Sequence, residues 1–414
     1  MTMRVDAYTH FIPERFYKDV MSVGSHKDIG KRMMGVPAIF DINVRKKVVD
    51  KFKDYSQVLS YPMPPFELMT KDPAETEEYA KIVNDGFAEL CAKDPDHFPG
   101  WVAQAPMAAP DVGVREAARA MKMGALGVQI YTNVVGRPLD DPAFESFWKA
   151  MNKSETPIWL HPSRTASFPD YQSETKSKYE IWWTLGWSYE TAAAMSRLVF
   201  SKIMDRYPKL KIITHHMGGI VPMLEGRIGP GWDQIGARTS DEDYQALKKS
   251  LYEIWWTFGW SYETAATMAR LVFSKTIDNN PGLKLIMHHF GGIVPMLEGR
   301  VGPGWDQIGA RTSDEDYQKL KKSLKKPRPL DYFKESFYCD TAVFGGKPAT
   351  ECGLAFYPTE KIVFASDCPF DPEKGTYYIR ETLKILDSID MSKKKRKAIM
   401  YGNLEEITGR TLVK

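Results

Sequence analysis

The sequence predicts an α/β protein of the (β/α)8 TIM-barrel class. Three observations predict it. Short apolar runs ending in polar residues alternate with segments of helical period, the mark of parallel βα units. Eight such runs can be counted once an internal repeat is allowed for. Several of them close on histidine or aspartate, and barrels carry their chemistry at the C-terminal ends of the strands. In order, the predicted strands are Arg4–His10, Tyr55–Ser60, Phe98–Gln104, Ala125–Tyr131, Pro157–His161, Leu210–His215 or its twin Leu283–His288, Phe337–Ala342 and Lys361–Asp367. The chemistry-bearing ends are His10 on the first, His161 on the fifth, His216 or His289 just after the sixth, and Asp367 on the eighth.

The repeat changes the size arithmetic. Residues 179–251 recur at once as 252–324, an offset of 73 with 13 mismatches. Such a tandem duplication differs from a solenoid, because only two copies exist and neither flank resembles them. Each copy holds an aromatic stretch, a helical pattern, a strand, Gly-Gly and a second helix, an α-β-α piece. Without one copy, the chain has a natural size for one barrel, so a single domain over 1–414 is expected, with one duplicated unit surplus. Strand number, tilt and shear are linked in a closed barrel, so a ninth strand cannot simply be inserted. Either one strand of the pair packs outside the barrel, or it serves a neighbouring subunit, or a chimera of the two copies loops out the residues between.

With 56 Lys+Arg against 53 Asp+Glu and 43% hydrophobic residues, the 414-residue chain is neither a polyelectrolyte binder nor disordered. A mean hydropathy of −0.39, no apolar run of about 18 residues and no signal-peptide layout predict a cytoplasmic protein with neither nucleic acid nor membrane as partner. Cys91, Cys339, Cys352 and Cys368 form no CxxC pair and read as reduced thiols. The basic run Lys393–Lys397 reads as a solvated helix face.

Two neutral imidazoles and a carboxylate suit a borderline divalent ion, and three protein ligands leave a position open for water or substrate. His10, His161 and Asp367 offer that set. The fourth strand ends without a Lys, Glu or Cys that could bridge a second ion, so one metal is expected. His216 or His289 could exchange a proton near it. The Gly-Gly after each His pair lets backbones approach closely or simply starts a helix. Trp159, Trp182, Trp183 and Trp187, with Trp255, Trp256 and Trp260, offer flat walls for a planar acid, or cover an interface.

Four segments in this order, Val5–Pro13 (VDAYTHFIP), Trp159–Pro162 (WLHP), His215–Pro222 (HHMGGIVP) and Phe364–Phe370 (FASDCPF), resemble the decarboxylase branch of the amidohydrolase superfamily. That branch is similar to aminocarboxymuconate-semialdehyde and dihydroxybenzoate-type decarboxylases. The resemblance implies a barrel with a single divalent ion, zinc first and manganese second, and non-oxidative decarboxylation of a small planar aromatic or unsaturated carboxylic acid. It implies His10, His161 and Asp367 as metal ligands and His216 or His289, with Asp367, as the proton relay. Arg227 and Arg300, each eleven residues after its histidine, match an arginine that grips the substrate carboxylate, sometimes across a dimer interface, so a homodimer or higher oligomer is expected. Arg45 is a second substrate-binding candidate. Where the family opens with His-x-His or Glu-x-His, this chain has Tyr8-x-His10. Either three protein groups hold the metal with more water or it binds weakly, while the phenol packs or hydrogen-bonds substrate. The same ligands would serve hydrolysis of a lactone or cyclic amide, and a non-catalytic barrel is the remaining alternative.

Overall fold

In the computed structural model the described residues are 3–22, 31, 35–231, 254–312, 315–373 and 375–413. They fall into two compact units: Met1–Ser163 with Ala194–His216 and Ala310–Glu315, and Arg164–Ala193 with Met217–Gly309 and Asp316–Lys414. A single domain over 1–414 is the expectation from sequence; the units are described separately below.

The first unit holds a run of parallel strands in chain order. β1 (Arg4–His10) pairs with β2 (Tyr55–Ser60) in a register that sets His10 opposite Ser60. The predicted third strand is split by Val102 into β3 (Gly100–Trp101), paired with β2, and β4 (Ala103–Gln104), paired with β5 (Val128–Tyr131). A hairpin of β6 (Asn133–Val134) and β7 (Arg137–Pro138) follows. Then β8 (Ile158–His161) pairs with β5 and with β9 (Ile212–Thr214), the strand of repeat copy one. β5 and β8 are buried along their whole length, as strands of a parallel sheet covered on both faces are. The intervening helices carry the expected start signals. Asp72 caps Pro73–Lys93 through its bond to the Ala74 amide, and Asp41 caps Ile42–Val49.

The second unit begins its sheet with β10 (Ile286–Met287), the strand of copy two, followed by β11 (Tyr338–Asp340) and β12 (Ile362–Val363), all parallel. The duplicated strand is therefore surplus in number but not unpaired. Among the described residues β9 and β10 each end a parallel sheet, one in each unit. Sequential parallel strands alternating with helices are the arrangement of the (β/α)8 class.

Within the second unit the two copies pack against each other reciprocally. Arg227 of copy one donates from Nη1 to the Trp256 carbonyl of copy two (2.5 Å), and Arg300 of copy two donates to the Trp183 carbonyl of copy one (2.6 Å). Each guanidinium also lies over the other copy's indoles: Arg227 is 5.9 Å from both Trp256 and Trp260, and Arg300 is 5.8 Å from Trp183 and 5.6 Å from Trp187. Tyr189 meets its own equivalent, Tyr262, at 5.2 Å. A contact in which i touches j while the equivalent of i touches the equivalent of j is isologous, the pattern of a two-fold interface made within one chain. The apolar core follows it, with Ile181, Leu185, Ile220 and Leu224 of copy one among Phe258, Ile293 and Leu297 of copy two. Trp183, Trp187, Trp256 and Trp260 thus serve the contact between copies. Lys393–Lys397 is a helix with no buried residue, and all four cysteines are free thiols. No helix of the described residues is long and apolar enough to cross a membrane.

Candidate metal centre

Three imidazoles meet at strand ends of the first unit. His10 closes β1, His161 closes β8, and His215 follows β9; their ligand atoms all lie within 4.8 Å of one another. Register explains the meeting. Leu160 stands opposite Thr214, so the next residues, His161 and His215, are neighbours across the β8–β9 pair. The rings are 5.1 Å (His10–His161), 5.4 Å (His10–His215) and 5.2 Å (His161–His215) apart.

Two of the imidazoles have their tautomers set by neighbours. Ser60 Oγ donates to the Thr9 carbonyl (3.0 Å), which leaves its oxygen to accept from His10 Nδ1 at 3.2 Å. His161 Nδ1 donates to the Pro162 carbonyl at 2.7 Å. In each ring Nε2 is then the nitrogen with the lone pair, and a carbonyl or hydroxyl behind Nδ1 is the usual support of a metal-bound histidine. Burial, reinforced by the Arg45 charge and opposed by Asp6, pushes the His10 imidazole down to about 4, so at neutral pH it is an uncharged donor. Tyr8 stacks on His215 at 4.0 Å. Its hydroxyl is buried without a hydrogen-bond partner among the described residues, and burial holds the phenol well above its ordinary pKa. Three imidazoles with a buried, unsatisfied hydroxyl beside them fit a divalent ion of zinc type with one position left open.

A second cluster lies in the second unit. His288 follows β10 and bonds through Nδ1 to Asp340 Oδ2 (2.5 Å) and through Nε2 to Asp367 Oδ1 (3.2 Å). Asp340 is fixed in turn, its Oδ1 accepting from the His289 amide (2.9 Å) and the Ala342 amide (3.0 Å). Burial draws the His288 imidazole down, but its bonds to Asp340 and Asp367 outweigh that and raise it to about 9. His289 goes the other way: burial, then the charges of Arg227 and His288, hold it well below its ordinary value. Its Nδ1 bonds to the Ala342 carbonyl. His289 and Arg227, one from each copy, line one small pocket with Val343 and Phe344.

The expected set His10, His161 and Asp367 is thus divided. His10 and His161 cluster with His215 in the first unit, and Asp367 clusters with His288 and His289 in the second. His216 is not one of the three clustered imidazoles; its ring lies 3.7 Å from that of His215, tilted by 34°, with its backbone in the left-handed region at φ 53°. Arg45 donates to Gln57 Oε1 (2.7 Å), which continues through Tyr55 to Asp6. That chain belongs to the first halves of β1 and β2, and the Arg45 charge still reaches His10 at the end of β1. Arg227 and Arg300 hold the contact between copies. Sequence reasoning missed His215, His288 and Asp340; the available signal for the two histidines was that each is the last residue of a predicted strand, whereas Asp340 lies two residues before the end of its own.

The amidohydrolase family model matches residues 5–250 and again 234–407, and each match contains one of the two His-His-x-Gly-Gly segments. The chain is 30% identical over 239 residues to a gamma-resorcylate decarboxylase of Polaromonas sp., covering 55% of this chain and 71% of that protein. It is 26% identical over 249 residues to the 2-amino-3-carboxymuconate-6-semialdehyde decarboxylase of Dictyostelium discoideum, covering 56% and 67%. The solved 2,6-dihydroxybenzoate decarboxylase from Rhizobium aligns at 20% identity over 99% of each chain with a TM-score of 0.42. On the extent of the family match, this chain belongs to the amidohydrolase family.

Proposed function

We propose that the chain is a divalent-metal-dependent, non-oxidative decarboxylase of a small planar carboxylic acid. The observation that carries the reading is the convergence of His10, His161 and His215, with the unsatisfied Tyr8 hydroxyl beside them, in a member of this family whose named relatives are decarboxylases. His10, His161 and His215 would hold the ion through one ring nitrogen each. When bound, the ion supplies a Lewis acid that orients the substrate and polarises one of its oxygens. Tyr8, kept protonated by burial, donates a hydrogen bond to a substrate oxygen. Breaking the carbon–carboxylate bond leaves its electron pair on that carbon, and His216, whose ring lies 3.7 Å from that of His215, delivers the proton that takes up that pair as CO2 departs. Water then returns a proton to His216.

An all-imidazole donor set favours zinc over manganese. Zinc, a homodimer and a cytoplasmic location are parts of the same proposal, checked by elemental analysis, light scattering and fractionation. The test of the reaction is CO2 release from a panel of hydroxybenzoates by protein as purified, stripped by chelator, and reloaded. Release that vanishes on stripping and returns on reloading is expected. Turnover unchanged in stripped protein, or ring opening of a lactone panel without any CO2, would overturn it.

A further inference from the structure

We propose that the second unit carries a binding site for a small multivalent oxyanion of the phosphate class. It is the cavity that Lys284, Lys325, Lys326 and Lys361 surround at the N-terminal ends of β10, β11 and β12. The cavity measures about 480 Å³, within the usual range for a small-ligand site. It lies at the strand ends opposite to His288 and Asp340 and takes no part in the proposed reaction.

The cations around it outnumber their carboxylate partners. Lys326 is paired with Glu335 at 2.6 Å. Asp278, 4% exposed, has its carboxylate committed to the Tyr332 hydroxyl (2.5 Å) and the Lys325 amide (3.1 Å). Lys284, Lys325 and Lys361 have no carboxylate partner for their ammonium groups among the described residues. Lys284 Nζ donates to the Ile407 carbonyl (3.0 Å), Lys325 Nζ to the Asp278 carbonyl (2.6 Å), and Lys361 Nζ stands 4.4 Å from the centre of the Tyr338 ring. An ammonium carries three donor hydrogens, so each keeps donors for a ligand, and lysine meets phosphate as a compact point charge.

Comparison of the two copies points to the same place. They part at the turn before the strand, where Tyr207 and Lys209 of copy one correspond to Asn280 and Gly282 of copy two. Backbone conformation does not demand the change, since Tyr207 (φ −126°, ψ 67°) and Asn280 (φ −129°, ψ 67°) are alike. In copy one the side chains close the turn: the Tyr207 hydroxyl donates to Glu145 (2.6 Å), Lys209 Nζ donates to Glu155 (2.8 Å), and Lys211 lies 3.7 Å from Glu155. In copy two Asn280 and Gly282 line the cavity, and a Cβ on Gly282 would meet nothing within 4 Å. Lys211 is kept as Lys284, without a carboxylate beside it. Copy two has lost the bulk and the acids that close this turn and kept the cation.

The site is independent of the decarboxylation reading, since its ligand is titrated without a reaction. Full-length protein is titrated in a calorimeter with inorganic phosphate and, separately, with phenyl phosphate, at constant ionic strength. Saturable binding is expected in the wild type, weakened about tenfold or more in Lys284→Gln and in Lys361→Gln by loss of a charged donor. Asn280→Tyr, which puts copy one's side chain into the space without changing the charge, should weaken it at least as much. His161→Ala, in the first unit, should bind as the wild type does, which separates this site from the metal centre. Equal affinity for the two probes assigns the site to the free oxyanion; tighter phenyl phosphate assigns it to an ester whose body lies on Leu283 and Tyr338, and either result supports the proposal. Absence of saturable binding in the wild type, binding that survives Asn280→Tyr and both lysine variants, or binding that disappears in His161→Ala would overturn it.

Discussion

Replacing Gly292 by alanine tests the packing that places the His-His pair of copy two. Gly292 has φ 68°, and a Cβ there would lie 2.2 Å from the Ser261 carbonyl oxygen, in the first turn of the helix Trp260–Phe273. An ordinary C···O approach is about 3.3 Å, so helix and turn must separate by about 1 Å. The left-handed conformation costs about 1–2 kcal/mol once a Cβ is present, and forced overpacking about 1–3 kcal/mol, giving about 2–5 kcal/mol together. The same contact recurs in copy one, where a Cβ on Gly219 at φ 70° would meet the Ser188 carbonyl oxygen at 2.1 Å, so Gly219→Ala should cost as much. Gly292 also donates to the His289 carbonyl at 3.0 Å, so the shift carries His289 with it. Gly282→Ala is the control: nothing lies within 4 Å of its Cβ, and copy one has Lys209 there. Urea unfolding followed by circular dichroism and tryptophan fluorescence gives the difference. A Gly292→Ala protein within about 0.5 kcal/mol of the Gly282→Ala control, the usual range of neutral surface changes, would refute the close approach.

In metal-stripped protein, stability should peak near pH 6.5. His10, lowered to about 4 from 6.5, contributes stability present above pH 6.5 and lost as pH falls to 4, at most about 3 kcal/mol by linkage. His288, raised to about 9, contributes stability present below 6.5 and lost as pH rises toward 9. Denaturant midpoints across pH should show the acid limb flatten in His10→Gln and the alkaline limb in His288→Ala, and an unchanged profile in both would contradict these assignments. Tyr8→Phe removes a buried, unpartnered hydroxyl and should stabilise the stripped protein by about 1–3 kcal/mol in a thermal melt while lowering CO2 release; a lower melting temperature would argue that the hydroxyl is already satisfied. Ser60→Ala deprives His10 Nδ1 of its acceptor and should weaken metal affinity of the first unit roughly 10- to 100-fold by competition with a chromophoric chelator.

The strands were legible because each is an apolar run bounded by polar residues, and all nine predicted runs contain an observed strand. Their ends were less so. The predicted third strand is interrupted at Val102, whose amide turns to the Leu59 carbonyl, a choice set by its neighbours. The His pairs were visible, but the identity of the clustering histidine was not. Sequence favoured His216 for its place before Met-Gly-Gly, whereas the β8–β9 register brings His215 beside His161. Asp340 escaped notice because its role depends on standing one strand from His288. The repeat was plain, yet nothing local in it shows that Arg227 would reach Trp256 and Arg300 would reach Trp183. That exchange exists only once the copies pack. The division of ligands between two units is likewise a property of strand pairing, which a duplicated strand can satisfy twice.

The most direct measurement is X-ray absorption at the zinc edge of the protein loaded with one equivalent. Three imidazole nitrogens at about 2.0–2.1 Å are predicted, falling to two in the variants His10→Ala, His161→Ala and His215→Ala. A first shell of oxygen without imidazole scattering, or one unmoved by these substitutions, would contradict the account.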